Sequence, residues 1–335
     1  MKSPTLVLAA AVTFVWMGTL CASAQEVKLK FTSLNPPTST VNTKWLHPWA
    51  DRINQQGKGV ISIQIIDGYS IANYRNWYDQ LVNNVVQISF GPIDVGGRFK
   101  KVSVPQVPFV VKDLPSASLA LWRLYKTGML DNEFADVVPL MLGVFPLNSP
   151  HYRAEPKSIA SFAGLKVIAG SKTTSELIQD LGGAPVTFPP GDQYEALERG
   201  TADAVFTNFA ALATFKIDEV THYHVELGLG GGVGMVAMNK ASYEGLPAAA
   251  RRIIDANATE KDSKEFGTFF QQFEQQARDT IAREPNQKVV AAPPDVVEKW
   301  QAKTRPIEDE WVKANDGAEV LSKYKQLLAE ARAAQ

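Results

Sequence analysis

The fold is decided by residues 164–206, which read GLKVIAGSKTTSELIQDLGGAPVTFPPGDQYEALERGTADAVF. Short apolar runs alternate with amphipathic runs along this stretch. The predicted elements are, in order, a strand at Leu165 to Ile168, a helix at Lys172 to Leu181, a strand at Pro185 to Phe188, a helix at Asp192 to Arg199 and a strand at Ala204 to Phe206. Gly200 is well placed to end the second helix, because glycine readily adopts the left-handed backbone of a C-terminal cap. The alternation predicts an α/β fold, in which helices flank a sheet.

The N-terminal half contains a second set of alternating elements. Strands are predicted at Val27 to Phe31, Val60 to Ile66, Val85 to Phe90 and Leu140 to Phe145, and helices at Asn42 to Asn54, Asn73 to Leu81, Ser116 to Tyr125 and Leu130 to Val138. Two further strands, His222 to Leu227 and Val233 to Met238, are expected to connect the two sets. The sequence therefore predicts two lobes, each with a sheet flanked by helices.

The C-terminal part is predicted to be helical. Nothing interrupts a helical pattern from Pro247 to about Arg283. An unbroken helix of this length would be about 55 Å long at about 1.5 Å per residue, which exceeds one small lobe. We therefore expect it to run along both lobes. Pro293-Pro294 is expected to open another helix, and Gly317 separates that helix from a last one that ends near Arg332.

The first 24 residues are predicted to be an export signal. Lys2 supplies the positive start, Leu6 to Trp16 is an apolar run of 11 residues, and Ala22-Ser23-Ala24 is the small-x-small pattern that precedes a cleavage site. The apolar run is shorter than the roughly 20 residues that a membrane-spanning helix needs, and the alternative is an uncleaved anchor. The only cysteine, Cys21, is expected to leave with the signal, so the mature chain would form no disulfide.

Composition and motifs argue against several classes of function. The chain has 34 basic and 35 acidic residues, which gives no reason to expect nucleic acid or an anionic membrane as a partner. It lacks the GxSxG, Walker and HExxH motifs, so we predict no enzyme, no cofactor and no metal. His222 and His224 would share one face of a strand, but two ligands make a poor metal site. The glycine-rich segment 228–234 is interpreted as a flexible or closely packed crossing between lobes.

The central stretch resembles the signature of the substrate-binding proteins of TRAP (tripartite, ATP-independent) transporters. The resemblance is carried by three motifs at matching spacing: Gly164-Leu-Lys-Val-Ile168, Leu181-Gly-Gly-Ala-Pro-Val186, and Tyr194-x-Ala-Leu197-x-x-Gly200-x-x-Asp203. Val107-Pro-Phe109 followed by Asp113 also matches a turn of that family. The resemblance covers nearly the whole mature chain.

The resemblance implies a two-lobed periplasmic binding protein fold with a long helix that spans both lobes. Lobe I would comprise 25–145 and 234–275, and lobe II would comprise 146–233 and 276–335 with the C-terminal helices. Such a protein lies in the periplasm, closes its lobes on a small-molecule ligand, and delivers it to the membrane permease subunits of the transporter. The resemblance favours a monomer over a dimer. A receptor that feeds a sensor kinase, a periplasmic enzyme and the binding protein of an ATP-driven importer are the alternatives.

The sequence departs from this family at two positions where relatives carry arginine. Ile168 stands at the end of the strand whose arginine usually pairs with the ligand's carboxylate, and Asn148 stands where many relatives that bind acidic sugars have a second arginine. Lys166, Arg153 and Lys172 are the cations that could replace them. Without a replacement, the ligand is not a carboxylate held in the usual way, because an unpaired buried carboxylate is costly.

The residues predicted to bind the ligand are neutral or aromatic, apart from one acid. They are Asn35, Tyr69, Asn73, Tyr74, Phe90, Gly91, Pro92, Asn148, Ile168, Phe188, Pro190, Asp192, Thr207, Asn208 and Phe209. Asp192 could instead cap its helix. These residue types indicate a flat, partly apolar molecule held by aromatic stacking and neutral hydrogen bonds. An aromatic acid held by Asn, Thr and backbone groups remains an alternative.

Overall fold

A computed structural model describes residues 25–93 and 97–334. The predicted signal segment and Cys21 lie outside the described residues. Within the described ranges, no helix is both long enough and apolar enough to cross a membrane.

The strands of the described chain fall into two sheets that share one long strand. The strands are β1 (Val27–Ser33), β2 (Ile61–Asp67), β3 (Ile88–Pro92), β4 (Val137–Tyr152), β5 (Lys166–Ile168), β6 (Ala184–Val186), β7 (Ala204–Thr207), β8 (Tyr223–Glu226), β9 (Leu229–Asn239) and β10 (Lys288–Ala291). The first sheet has the order β2-β1-β3-β9-β4, and the second continues from the far end of β4 through β7 and β5 to β6. β8 pairs with β4 and with β10.

The chain direction in these sheets brings four strand ends together. β1, β2 and β3 are mutually parallel in the first sheet, and β5, β6 and β7 are parallel in the second. The loops that follow β1, β5 and β7 and the last residues of β3 all line the same cleft. This is the usual place for a ligand in such sheets, since the carboxyl ends of parallel strands meet at one edge. β4 and β9 run antiparallel to each other. Of the predicted lobe boundaries, which stay predictions, 145/146 and 233/234 fall on these two strands and 275/276 falls in the helix Glu260–Ile281.

Helices cover both sheets. They are α1 (His47–Gln56), α2 (Trp77–Val82), α3 (Leu114–Lys126), α4 (Lys172–Asp180), α5 (Gln193–Glu198), α6 (Phe209–Phe215), α7 (Lys240–Glu244), α8 (Ala248–Ala256), α9 (Glu260–Ile281), α10 (Pro294–Asn315) and α11 (Ala318–Ala333). A π-helix (Asn42–Leu46) precedes α1, and short 3-10 helices occupy Lys101–Gln106, Asp131–Phe134, Pro190–Asp192 and Ile217–Glu219. The predicted mixed α/β architecture is confirmed.

The predicted helix from Pro247 to Arg283 is interrupted, and the structure has α8 and α9 in its place. Tertiary contacts end α8, because the carbonyl of Asn257 accepts a hydrogen bond from Trp49 Nε1 at 3.0 Å. A capping box between Thr259 and Asp262 then starts α9. The long helix that remains still bridges the molecule, since α9 packs against α3 and β4 and also against α6.

A second prediction was wrong at Leu130 to Val138, where a helix was expected. Only Asp131–Phe134 is helical there, as a 3-10 turn, and β4 begins at Val137. Val137 and Val138 pair with Asn239 and Met238 of β9, and β-branched residues suit a strand. The pairing partner lies about 100 residues away in sequence, so a local pattern could not reveal it.

The glycine-rich segment forms the first half of β9 and is closely packed. A Cβ on Gly234 would lie 2.4 Å from the ring of Phe145, and one on Gly231 would lie 2.5 Å from Val144. These glycines let β9 approach β4 without side chains between them. The crossing segment is therefore confirmed as close packing between the two central strands.

Candidate ligand-binding site

A cleft between the two sheets contains two adjoining compartments. One has a volume of about 160 Å³ and a mixed lining, in which hydroxyl and carboxamide side chains stand among apolar groups. The other is lined almost entirely by apolar groups and has a volume of about 170 Å³. The two compartments adjoin each other, because both are lined by Phe145, Pro190, Asn208, Ala211 and Phe215. We call them the polar compartment and the aromatic compartment.

The aromatic compartment is built from rings that reach it from five separate elements. They are Tyr74 from the loop before α2, Phe90 of β3, Phe145 of β4, Phe215 of α6 and Phe270 of α9. The rings hold one another edge to face: Phe145 lies 5.0 Å from Phe270, and Tyr74 lies 6.2 Å from Phe215 between centroids. Edge-to-face pairs are a preferred aromatic arrangement, so the walls are well defined. Burial raises the pKa of the Tyr74 hydroxyl, which therefore keeps its proton.

The polar compartment is lined by the first turn of α4. Ser171 is the N-cap of this helix and accepts a hydrogen bond from the backbone N–H of Thr174. The Ser171 and Thr174 hydroxyls lie 2.8 Å apart. The N–H groups of Lys172 and Thr173 have no acceptor among the described residues, as is usual for the first turn of a helix. This end of α4 carries partial positive charge, which favours an anionic group nearby.

Amides complete the polar compartment. Gln193 Nε2 donates to the carbonyl of Phe188 at 3.2 Å, and Asn208 Oδ1 accepts from the N–H of Ala211 at 2.8 Å. Asn148 and Thr207 line the compartment from β4 and β7. Its polar groups are therefore hydroxyls, carboxamides and backbone N–H groups.

No lysine or arginine lines either compartment among the residues that the structure describes. The three cations considered as replacements lie elsewhere. Lys166 is exposed, Arg153 donates to the carbonyl of Glu198, and Lys172 extends into solvent, where it pairs with Glu176. An anionic ligand in this cleft would meet neutral donors and the end of a helix.

Most of the predicted ligand-binding residues come together in the cleft. The compartments are lined by Asn35, Tyr74, Phe90, Gly91, Pro92, Asn148, Pro190, Thr207 and Asn208. Gly91 is needed there for space, since a Cβ would lie 2.5 Å from the ring of Trp77. Whether each of these residues contacts a ligand stays a prediction.

Two further predicted residues lie at the rim of the cleft, where the lobes face each other. Tyr69 is half-exposed and lies against Gly191 and Tyr74. Asp192 makes no cap for its helix, and its carboxylate lies 3.7 Å from Arg75 of the opposite lobe. Both side chains of this ion pair are well exposed, so it contributes little to stability.

Four predicted residues lie outside both compartments. Asn73 is exposed and shapes its own loop by accepting from the N–H of Arg75. Ile168 is fully buried in the core. Phe188 packs at the edge of the core, and Phe209 is buried against His151 on the other side of β7.

Several lining residues were not singled out from the sequence. They are Gln106, Phe145, Ser171, Thr173, Thr174, Gln193, Thr214, Phe215 and Phe270. Ser171 could have been predicted from the sequence, because a serine that opens a helix directly after a parallel strand lies at the ligand-binding edge of the sheet. Phe215 and Phe270 could not have been predicted, because an apolar residue on a helix face fits the core equally well.

A partly buried carboxylate pairs with the start of α6, the helix that lines both compartments. Glu274 of α9 accepts hydrogen bonds from the N–H groups of Phe209 and Ala210 at 3.0 and 2.7 Å. With Asn208 capping Ala211, the first three N–H groups of α6 are all paired. Burial raises the pKa of Glu274 to about 7, and the two N–H groups act in the opposite direction.

The histidines of the crossing strands pair with each other. His151 Nδ1 lies 2.9 Å from His224 Nδ1, and His224 Nε2 lies 2.8 Å from Gln287 Oε1. Burial lowers the pKa of His151 well below its usual value and that of His224 to about 4, so both rings are neutral near pH 7. No group of three residues suited to hold a metal ion occurs in the described part of the chain.

Comparison with known proteins agrees with this architecture. Residues 31–315 match the family of bacterial extracellular solute-binding proteins, family 7. The C4-dicarboxylate-binding periplasmic protein DctP of Rhodobacter capsulatus is 23% identical over 339 residues, which cover 92% of this chain and 93% of that protein. The alignment with the outer membrane transporter protein TsaT of Comamonas testosteroni is 25% identical and spans only 55% of the length of that relative.

Two solved structures are similar over nearly their whole length. A TRAP solute-binding protein from Rhodoferax ferrireducens T118, solved with copurified benzoate, is 26% identical, with a TM-score of 0.85 over 92% of this chain and 99% of that chain. A marine metagenome TRAP solute-binding protein specific for aromatic acid ligands, solved with 3-hydroxybenzoate, is 25% identical, with a TM-score of 0.86 over 92% and 99%.

The family match covers most of the chain, and both similar structures have the same fold. Proteins of this family are extracytoplasmic receptors that bind small molecules and work with membrane permease subunits, and they are not enzymes. The predicted periplasmic localisation agrees with the family and with its curated relative. The chain therefore belongs to family 7 of the bacterial extracellular solute-binding proteins and is a TRAP-type solute receptor.

Proposed function

We propose that this receptor binds an aromatic carboxylate, with the ring in the aromatic compartment and the carboxylate in the polar compartment. The observation that carries the proposal is the division of the cleft into a compartment walled by five aromatic rings and an adjoining compartment of hydroxyls and amides. An apolar cavity of about 150 Å³ holds benzene, so the aromatic compartment has room for one ring.

The carboxylate would be held without the usual arginine. The hydroxyls of Ser171 and Thr174 and the free N–H groups of Lys172 and Thr173 meet at the start of α4. Hydrogen bonds from such donors to an ionised group are stronger than those between neutral groups, and the helix end adds favourable charge. These contacts offset part of the cost of burying the carboxylate.

The similar structures support the same ligand class. The Rhodoferax ferrireducens protein was solved with benzoate, and the marine metagenome protein is specific for aromatic acids. We extend that ligand class to this chain because its own cleft offers a ring-sized apolar compartment beside a polar one.

Isothermal titration of the mature chain, from Gln25 onward, tests the proposal. Benzoate is expected to bind, and succinate is expected to bind far more weakly. Benzamide is expected to bind more weakly than benzoate by about tenfold or more, because it lacks the negative charge. If succinate binds more tightly than benzoate, the ligand is an aliphatic acid. If benzamide binds as tightly as benzoate, the start of α4 does not recognise a carboxylate.

A further inference from the structure

We infer that Asn35 selects an aromatic acid whose ring carries a hydroxyl or amino group, an inference that rests on the function proposed above. Asn35 follows β1 and lines the aromatic compartment, although its side chain is almost completely buried. The hydrogen bonds around Asn35 leave its amide oxygen, Oδ1, without a donor in the described part of the chain.

The orientation of Asn42 is fixed by its neighbours. Three oxygens surround its Nδ2 at 2.9 to 3.1 Å: the carbonyls of Asn35 and Pro36 and a carboxylate oxygen of Asp67. Carbonyl and carboxylate oxygens only accept hydrogen bonds, so the NH₂ group of Asn42 must face them. The amide oxygen of Asn42 therefore faces the other way, towards Ser33.

The direction of the next bond follows. Ser33 Oγ lies 2.6 Å from Asn42 Oδ1, and an amide oxygen cannot donate, so the serine hydroxyl gives its only hydrogen to Asn42. Ser33 Oγ is then an acceptor for its remaining contacts. These are the backbone N–H of Asn35 at 3.4 Å and Asn35 Nδ2 at 3.2 Å. The NH₂ group of Asn35 must accordingly point at Ser33.

With the NH₂ group of Asn35 pointing at Ser33, its amide oxygen Oδ1 points the other way. No donor among the described residues lies within hydrogen-bonding distance of this oxygen, and Asn35 is 5% exposed. Asn35 lines the aromatic compartment, so a ligand that fills this compartment without offering a hydrogen would leave the oxygen buried and unpaired. Such burial is unfavourable, and a site of this kind discriminates strongly against ligands that cannot pair with it. A hydroxyl or amino hydrogen on the ligand ring would satisfy the oxygen.

The other amides and the threonine of this compartment are already paired. Thr214 donates its hydroxyl to the carbonyl of Ala210 at 2.7 Å, and Asn208 uses both ends of its amide. Besides the Tyr74 hydroxyl, which can donate as well as accept, Asn35 Oδ1 is therefore the side-chain acceptor of this compartment that no described donor satisfies.

The test compares benzoate with 3-hydroxybenzoate and 4-hydroxybenzoate, each titrated into the mature chain. At least one hydroxy acid is expected to bind about tenfold more tightly than benzoate, which is about 1.4 kcal/mol. The fluorobenzoate with the same substitution pattern has no donor and is expected to bind within about threefold of benzoate. The substitution Asn35→Ala is expected to bring the affinities for the hydroxy acid and benzoate within about twofold of each other.

Asn54→Ala is the matched control, because both ends of that amide pair with the backbone of Ile63 in the same lobe. It is expected to keep the preference for the hydroxy acid. The inference is overturned if neither hydroxy acid binds more tightly than benzoate, if the fluorobenzoate matches the hydroxy acid, or if Asn35→Ala keeps the full preference. Failure of benzoate and all its derivatives to bind would instead overturn the proposed function. Should Asn35→Ala not fold, the fluorobenzoate comparison decides the question with the unaltered protein.

Discussion

Replacing the partly buried Glu274 with glutamine is expected to change how the stability of the protein depends on pH. Burial raises the pKa of this carboxyl from 4.5 to about 7 in the folded state. The folded state therefore holds the proton more tightly than the unfolded state does. The contribution of a group with a raised folded pKa is fully present below its unfolded pKa and is lost as the pH rises to the folded value. Wild-type stability should thus lose this contribution between about pH 4.5 and about pH 7.

The size of the effect follows from the two pKa values. A rise of the pKa from 4.5 to about 7 corresponds to about 3 kcal/mol of unfolding free energy, because each pKa unit is worth about 1.36 kcal/mol. Glutamine cannot ionise, so the variant escapes this loss. The stability of Glu274→Gln relative to the wild type should rise by about 3 kcal/mol between acid and alkaline solution. This is a substantial share of the roughly 5–15 kcal/mol that stabilises a typical domain.

Urea unfolding followed by tryptophan fluorescence, at intervals from about pH 4.5 to about pH 8, measures this difference. Glu265→Gln is the matched control, since Glu265 is on the same helix but its side chain is 46% exposed and accepts no backbone N–H of the described residues. A stability difference between Glu274→Gln and the wild type that does not change with pH would show that the folded protein does not hold this proton more tightly. A difference that falls with pH would show that the two N–H groups of α6 outweigh burial.

Three further predictions concern the cleft and the core. Ser171→Ala removes both the N-cap of α4 and a hydroxyl of the polar compartment. Calorimetry should therefore show about tenfold weaker benzoate binding, and thermal unfolding should show that the free energy of unfolding falls by about 1 kcal/mol. Benzoate affinity should change by less than about twofold between about 50 and about 500 mM NaCl, because no lysine or arginine lines the described cleft; a loss above tenfold would reveal one. Gly143→Ala should cost about 3 kcal/mol in urea unfolding, because a Cβ would lie 2.1 Å from Phe266, whereas Gly170→Ala, with nothing within 4 Å, should cost less than about 1 kcal/mol.

The order of strands and helices was accessible from the sequence because their patterns are local. Alternation and turn residues located β5, α4 and β7 to within a residue or two. The break between α8 and α9 was missed, although Thr259 and Asp262 carry the spacing of a capping box. The event that ends α8 is a contact from Trp49, which lies 208 residues away in the chain. A local pattern contains no information about such a contact.

The site was accessible where a residue follows a strand or where the family resemblance marks a position. Asn35 and Asn208 follow strands whose carboxyl ends meet at the edge of a parallel sheet, whereas Asn148, which lies within β4, was singled out by the resemblance. Phe215 and Phe270 could not, since both are apolar residues on helix faces, and only the packing of α6 against α9 shows that they border a cavity. The free oxygen of Asn35 is still less accessible from the sequence, because it follows from the directions of six hydrogen bonds around Asn42 and Ser33.

If the ligand is the proposed aromatic acid, the surroundings of Ile168 explain why its carboxylate would need an anchor other than an arginine at this position. Ile168 pairs with Val186 and Val205 on either side, and its side chain is fully buried. A guanidinium at this position would enter an apolar core without an acceptor, at a cost of several kcal/mol. The cleft begins only two residues later, at Gly170, and the first polar side chain to reach it is Ser171 at the start of α4. Positive charge at this edge of the sheet therefore comes from the end of the helix, and such a partial charge favours one carboxylate on an apolar ring over a ligand with several charges.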